Sequence, residues 1–178
     1  MRMLDKERSL LEIMVYGNPV LAQKAKDIKN IDENICALAE NMIQTMHAAP
    51  GIGLAAPQVN RSIRLITIDL SVGEKEDDMI VLINPEILSS DGEDIMEEGC
   101  LSVPEINEKV SRPDQVLVKG IDIDGNEKII ESSGLLARVL CHEIDHLNGK
   151  LFIDHLSPLK RDLIRKKLRK QREKDTSV

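Results

Sequence analysis

The sequence predicts an α+β fold, in which short, mostly antiparallel strands surround a central helix. Runs rich in β-branched residues occupy the middle of the chain, and the dipeptide Asp124-Gly125 marks a hairpin turn between two of them. Three other segments repeat apolar residues at steps of three and four. Because no repeat or long linker divides the chain, we expect residues 1–178 to form a single domain.

Three helices are predicted around the strands, each with recognisable end signals. They span residues 31–47, 134–148 and about 158–174. Asn30 or Asp32 is placed to cap the first helix, and Gly149 to end the second. Ser157 followed by Pro158 marks the start of the third helix, which carries Leu159, Leu163 and Leu168 on one side.

Six strands are predicted from β-branched content and alternation. They lie at residues 63–70, 79–85, 86–89, 93–97, 114–122 and 127–131. The segment APGIGLAAPQVN, residues 49–60, contains two Gly and two Pro and is predicted to be a shaped loop that enters a strand.

Charge is distributed unevenly along the chain. The net charge is -7, yet from Ser157 onward nine Lys and Arg stand against three Asp and Glu. The acidic body is unsuited to nucleic acid, whereas the basic C-terminal helix suits phosphate groups. Cys36, Cys100 and Cys141 are odd in number, and the N-terminal residues lack the apolar run of an export signal. We therefore expect a cytoplasmic protein with reduced thiols, in which Cys36 and Cys141 are buried core residues.

The strongest chemical signal is HEIDH, residues 142–146, within the second helix. His142 and His146 lie about one turn apart on one helix face, so both imidazoles can reach one metal ion. Glu143 can then face a water molecule without binding the metal. Cys100 is the candidate third ligand, and three ligands with one open position are typical of a catalytic metal. His47 and His155 are expected to have structural or surface roles.

Three segments resemble the motifs of the peptide deformylase family, in the same order. They are GIGLAAPQ at 51–58, EGCLS at 98–102 and HEIDHLNG at 142–149. The resemblance extends to LFIDHLSPLKR at 151–161 and covers nearly the whole chain. It implies a hydrolase that removes the formyl group from the N-terminal formyl-methionine of nascent polypeptides and releases formate.

The resemblance also implies a role for each motif residue. The implied metal ligands are Cys100, His142 and His146, with Fe(II) as the native ion and Zn(II) or Ni(II) possible in preparations. Glu143 handles the proton, while the Gln58 side-chain amide and the Leu101 backbone N–H stabilise the oxyanion. The backbone around Gly53 pairs with the substrate like an added strand, because glycine permits close approach and unusual backbone angles.

Glu98 and Arg112 match family positions that pair with each other. The methionine side chain of the substrate needs an apolar pocket. The candidate pocket residues are Ile52, Leu54, Met96, Leu135 and Val139. For the basic C-terminal helix, two interpretations stay open. It is a solvated amphipathic helix docked on the body, or it holds ribosomal RNA beside the nascent chain, as it does in some family members.

Two other functions compete with this interpretation. One is a zinc metallopeptidase, which shares HEIDH and would take its third ligand downstream, from Asp154 or His155; it leaves EGCLS and GIGLAAPQ unexplained. The other is a non-enzymatic ribosome-binding protein that keeps the fold. We expect no membrane partner, since no segment has the length and hydropathy of a span.

Overall fold

The structure is a computed structural model that describes residues 10–75 and 78–175. The first residues of the N-terminal segment, on which the expectation about an export signal partly rests, lie outside the described residues. Among the described helices, none combines the length and the apolar character that a membrane span requires.

The described residues form three α-helices and seven strands, which agrees with the predicted α+β class. The helices are α1 (Glu33–Ala48), α2 (Gly134–Leu147) and α3 (Pro158–Asp175). The strands are β1 (Gly53–Ala55), β2 (Leu65–Ile68), β3 (Ile80–Asp91), β4 (Asp94–Cys100), β5 (Val103–Arg112), β6 (Gln115–Ile121) and β7 (Glu127–Ser133). Short 3-10 helices occur at Pro19–Ala22, Ala56–Val59 and Phe152–His155.

Every strand pair in the described sheets is antiparallel, as predicted. One sheet has the order β1-β2-β3-β6-β7, and a second is the hairpin of β4 and β5. β6 and β7 meet at the predicted turn, where Gly125 has a positive φ of 86°. The strands expected separately at 79–85 and 86–89 form one strand, β3, with a register shift between Ile83 and Glu86. Pro85 is tolerated there because a bulge needs no regular ladder bond.

The helix α1 begins at the second of the two predicted caps. The Asp32 carboxylate accepts hydrogen bonds from the backbone N–H groups of Asn34 and Ile35, each at 3.0 Å. These are two of the N–H groups that lack a partner in the first turn of a helix. The opposite end of the helix buries Met42 and Met46 against β1 and β2.

The helix α2 is central, because its apolar face packs on the larger sheet. Ala137, Leu140, Cys141, Ile144 and Leu147 belong to a core cluster with residues of β2, β3 and β6. The prediction that Cys141 is a core residue is confirmed. Cys36 is partly exposed instead, so the prediction that it is buried was wrong. It lies near the start of α1, away from the part that Met42 and Met46 bury.

The strand β5 is not predicted from the sequence, and the strand expected at 93–97 extends to Cys100 as β4. Val103, Ile106 and Val110 are the buried apolar residues of β5, at spacings of three and four rather than two. Glu105 has a positive φ of 62°, which interrupts the alternation of side chains along the strand. A pattern search for period two therefore misses it.

The helix α3 begins at Pro158 as predicted, but a different face of it is buried. Ile164 and Leu168 pack in a cluster with Val103 and Phe152. Leu159 and Leu163 are 73% and 58% exposed, which corrects the expected alignment of Leu159 and Leu163 with Leu168. Residues four apart share a helix face, and Leu168 shares its face with Ile164 rather than with Leu163.

Candidate active site

Two elements bring together the three predicted metal ligands. α2 carries His142 and His146, and Cys100 ends β4. The ligating atoms of the three residues all lie within 4.8 Å of one another, and Cys100 Sγ is 3.4 Å from His146 Nε2. Within the described residues, this is the one group of three or more His, Cys, Asp and Glu side chains spaced for a metal ion.

This donor set fits a divalent transition metal. Tetrahedral coordination with ordinary metal–sulfur and metal–nitrogen bonds separates a sulfur and a nitrogen ligand by about 3.5 Å. The observed separation of 3.4 Å between Cys100 Sγ and His146 Nε2 matches it. A thiolate with two imidazoles leaves one position for water or substrate, as catalytic rather than structural sites do. Asp154 and His155, the alternative third ligands, do not belong to the cluster.

Glu98 orients the first histidine of the cluster. Its Oε2 is 2.9 Å from His142 Nδ1, which donates the hydrogen bond and leaves Nε2 to face a metal. The Arg112 Nε donates to Glu98 Oε1 at 2.9 Å, so the expected Glu98–Arg112 pair forms, and both side chains are buried. Burial alone would raise the pKa of Glu98, but the hydrogen bonds from His142 and Arg112 outweigh it and lower the pKa.

The two histidines outside the cluster have hydrogen-bonded structural roles, as expected. His155 Nε2 is 2.6 Å from Asp145 Oδ2 and 3.1 Å from Arg112 Nη1. His47 Nε2 is 2.7 Å from Asp69 Oδ2 at the end of β2. His155 thus supports the residues behind the cluster, and His47 holds a loop.

Glu143 lies beside the cluster in a desolvated position. The residue is buried, and its Oε2 has no hydrogen-bond partner within the described residues. Burial raises the pKa of Glu143 to about 7, although the positive charges of His142 and Arg112 oppose the rise. A carboxyl group with a pKa near neutrality can both accept and return a proton at physiological pH.

Gln58 points its amide nitrogen at the cluster. Its Oε1 accepts a hydrogen bond from the Ala55 backbone N–H at 2.9 Å, which fixes the orientation of the amide. Its Nε2 then lies 3.2 Å from Ser102 Oγ and 3.5 Å from Cys100 Sγ. The 3-10 turn Ala56–Val59, rather than the loop entering a strand that we predicted, holds Gln58 there.

A cavity of about 510 Å³ opens over the cluster. It is lined by residues of segment 50–53, which includes the apolar Ile52, by the apolar Leu135 and Val139, and by Gln58, Cys100, Leu101, His142 and Glu143. A Cβ on Gly53 would lie 2.4 Å from Glu143 Oε1. Gly53 has no positive φ, so the site needs a glycine there for space and not for backbone angle.

Leu54 and Met96 do not line this cavity, which corrects their nomination as pocket residues. Leu54 is fully buried in the core cluster of Met42 and Met46. Its neighbour Gly53 borders the cavity, and successive residues of a strand point to opposite faces. Met96 is 43% exposed on β4.

Sequence reasoning missed two residues that contact the site. Ser102 accepts from Gln58, and Arg138 Nη1 donates to Glu98 Oε1 at 2.6 Å. Arg138 precedes His142 by four residues, so its place on the same face of α2 was readable from the spacing. Its partner Glu98 belongs to another element, and no local pattern indicates that contact.

The chain is similar to known proteins of one family. The family model described as polypeptide deformylase matches residues 10–162. The chain belongs to the polypeptide deformylase family. Enzymes of this family are metal-dependent, and the cluster of Cys100, His142 and His146 is a group, among the described residues, that can hold an ion.

Deformylases from several bacteria are similar to this chain over almost their whole length. The peptide deformylase of Syntrophobacter fumaroxidans is 49% identical over 95% of this chain and 99% of the relative, and that of Thermodesulfovibrio yellowstonii is 53% identical over 90% and 98%. The crystal structure of the Legionella pneumophila deformylase is 45% identical, with a TM-score of 0.87, over 96% of this chain and 99% of that one. The likeness therefore extends from sequence to the complete fold.

Proposed function

We propose that this chain hydrolyses the formyl group of N-terminal formyl-methionine on nascent polypeptides, and that residues 1–178 form one catalytic domain for this reaction. The convergence of Cys100, His142 and His146, next to a cavity lined by Cys100, His142 and Glu143, carries the proposal. When bound, the metal ion supplies a Lewis acid that lowers the pKa of water to near neutrality. The native ion is proposed to be Fe(II), with Zn(II) or Ni(II) possible in preparations.

The residues of the site divide the work of amide hydrolysis. Glu143 accepts a proton from the attacking water and returns it to the amine as the carbon–nitrogen bond breaks, which releases formate and the free peptide. The Gln58 amide and the Leu101 backbone N–H donate to the oxyanion that forms at the formyl carbonyl. Removal of one such donor typically raises the barrier by about 3 to 4 kcal/mol.

The surroundings of the cluster suit a peptide with an apolar first residue. β1 is an edge strand, so an extended peptide can pair with it beside Gly53. Ile52, Leu135 and Val139 supply apolar surface for the methionine side chain. The deformylase of Synechococcus elongatus has been crystallised with actinonin, and we expect actinonin to compete for this cavity.

A single cysteine substitution tests the proposed function. Cys100→Ala is expected to lose the metal by elemental analysis after anaerobic purification, and to stop formate release from formyl-Met-Ala-Ser. Cys36→Ala is the matched control, since Cys36 is partly exposed and lies outside the cluster. Retained metal with peptide-bond cleavage in the Cys100 variant would favour a metallopeptidase, and absence of formate release by the parent chain would favour a non-enzymatic role.

We also propose that the protein acts in the cytoplasm and that α3 contacts ribosomal RNA. Lys166, Lys167 and Lys170 are exposed on α3, and Arg165, Arg169 and Arg172 line a cavity against the segment 16–22. Phosphate groups are the natural partners of such a surface. Removing α3 entirely would expose the core residues against which Ile164 and Leu168 pack. Neutralising the charges of α3 is therefore the cleaner test.

Ribosome co-sedimentation at two salt concentrations measures this contact. The triple variant Lys166→Gln, Lys167→Gln, Lys170→Gln is expected to bind ribosomes more weakly. The slope of log K against log salt concentration should also become less steep, by up to about 3. The matched control neutralises Lys24, Lys26 and Lys29, which are exposed elsewhere on the body. Equal binding by both triple variants would contradict a specific role for α3.

A further inference from the structure

Arg138 joins the two elements that supply the metal ligands. It lies on α2, one turn before His142, and is only 4% exposed. One nitrogen, Nη1, donates to Glu98 Oε1 at 2.6 Å and to the Val110 carbonyl at 3.0 Å. The other, Nη2, donates to the Asp94 carbonyl at 2.7 Å and lies 3.3 Å from Asp94 Oδ2. Arg138 therefore connects α2 with both strands of the β4–β5 hairpin.

The hairpin and the helix must keep their relative position for the cluster to exist. β4 ends at Cys100, two residues after Glu98, whereas His142 and His146 belong to α2. The hairpin forms a sheet of its own and has no strand pairing with the larger sheet in the described residues. The position of the Cys100 sulfur relative to α2 therefore depends on side-chain bonds between α2 and the hairpin. The bonds of Arg138 reach three residues of the hairpin.

Glu98 is held by two guanidinium groups as well as by the histidine. Arg112 and Arg138 both donate hydrogen bonds to its carboxylate, and His142 Nδ1 donates to Oε2 of the same carboxylate. Arg112 also pairs with Asp145, and Arg138 with Asp94, so the two guanidinium groups face three carboxylates. Arg138 brings a buried Nε that has no partner within the described residues, which is a desolvation cost. The bonds of Arg138 run from α2 to Glu98 and to both strands of the hairpin, so they hold these residues in place relative to His142.

We propose that Arg138 is a positioning residue of the metal site, which sets metal affinity by fixing Glu98 and the hairpin that carries Cys100. This inference rests on the proposed metal site. Residues that orient metal ligands typically change metal affinity by about 10- to 100-fold when they are replaced. Lysine keeps the charge but lacks the planar fork, so it cannot hold Glu98 and two carbonyl groups together.

Arg64 provides a matched control. It is also buried, and it joins the other end of α2 to β3 through the Asn148 side chain at 3.0 Å and the Pro85 carbonyl at 2.8 Å. Arg64→Met therefore removes a buried arginine that bridges the same helix without touching Glu98 or the hairpin. Its thermal stability is expected to fall, with the metal site unchanged.

The experiment measures Zn(II) affinity by chelator competition and the absorption spectrum of Co(II)-substituted protein, with melting temperature recorded for each variant. Arg138→Met is expected to bind Zn(II) about 10- to 100-fold more weakly and to shift the Co(II) bands, and Arg138→Lys to lie between it and the parent. Arg64→Met is expected to match the parent in both. Where a Met variant fails to fold, Arg138→Lys and Arg64→Lys carry the same comparison.

Two results would overturn the proposal: parent-like Zn(II) affinity and Co(II) spectrum in the Arg138 variants, or an equal loss of affinity in the Arg64 variants. Failure of the proposed function looks different. In that case the parent chain itself does not bind one Zn(II), or Cys100→Ala binds it as well as the parent does, and the proposal for Arg138 falls with it.

Discussion

At the scale of single residues, the site depends on the absence of a side chain at Gly53 as well as on its functional groups. Glu143 is next to Gly53, and its carboxylate occupies the volume that a side chain on Gly53 would need. The resemblance to the family identified Gly53, but it offered backbone freedom as one reason. The structure shows no positive φ at Gly53 and adds the close approach of Glu143, which no sequence pattern indicates.

Gly53→Ala is expected to displace Glu143 and to lower kcat by about 100-fold, because an error of about 1 Å in a catalytic group costs that much. Formate release from formyl-Met-Ala-Ser measures it, with metal content as a check that the cluster persists. Gly51→Ala is the comparison, since its Cβ would lie 3.1 Å from the end of the flexible Leu101 side chain and at an ordinary contact distance of 3.6 Å from its other neighbours. Equal losses in both variants would argue against a specific clash with Glu143.

At the scale of elements, local signals located the helix ends well and the buried faces less well. Helix caps depend on a side chain and the next three residues, which the sequence shows directly. The buried face of α3 depends on its contacts with Phe152 and Val103, which come from elsewhere in the chain. β5 was missed for a different reason, because the positive φ of Glu105 breaks its alternation.

Asp32→Ala should destabilise the protein by about 1 kcal/mol, the usual contribution of a side-chain helix cap. Urea unfolding followed by circular dichroism measures the free energy of unfolding. The same experiment on Asn30→Ala, the cap candidate that the sequence left open, should show no significant change. A larger effect at Asn30 would contradict the assigned cap.

Leu168→Ala is expected to cost about 2 to 5 kcal/mol, the range for deleting most of a buried leucine side chain. Leu163→Ala, on the exposed face of the same helix, should cost less than about 0.5 kcal/mol. Thermal and urea unfolding measure both. Similar values for the two substitutions would mean that α3 does not dock by its Ile164–Leu168 face.

At the scale of the whole molecule, stability in acid depends on buried carboxylates such as Asp69. Burial raises the pKa of Asp69, but hydrogen bonds from Ser71, His47 and the Gly73 backbone outweigh it and lower the pKa to about 2. A carboxyl group of lowered pKa stabilises the folded state above its unfolded pKa, near pH 4. That stabilisation is lost as the pH falls toward 2.

Asp69→Asn is therefore expected to be less stable than the parent above pH 4, with the difference shrinking between pH 4 and pH 2. Urea unfolding at several pH values from 7 to 2.5 measures the difference. Asp27→Asn, at an exposed position, controls for loss of one carboxylate. A gap between Asp69→Asn and the parent that stays constant across this range would contradict the linkage.

The sequence by itself determined the α+β class, the three helices, the family and the identity of the cluster residues. These rest on short-range periodicity, on caps and on the compact motifs at 51–58, 98–102 and 142–149, all of which are local in the chain. HEIDH predicted two ligands and an acid because a helix converts a spacing of four residues into one face.

Only the tertiary structure decided which apolar residues line the cavity, that Glu98 is shared by two arginines, and that the β4–β5 hairpin carries the sulfur to the helix. These facts depend on contacts between segments about 40 residues apart, such as Glu98 with Arg138 and Cys100 with His146. Such contacts arise when whole elements pack, and no local spacing encodes the direction in which a side chain then points.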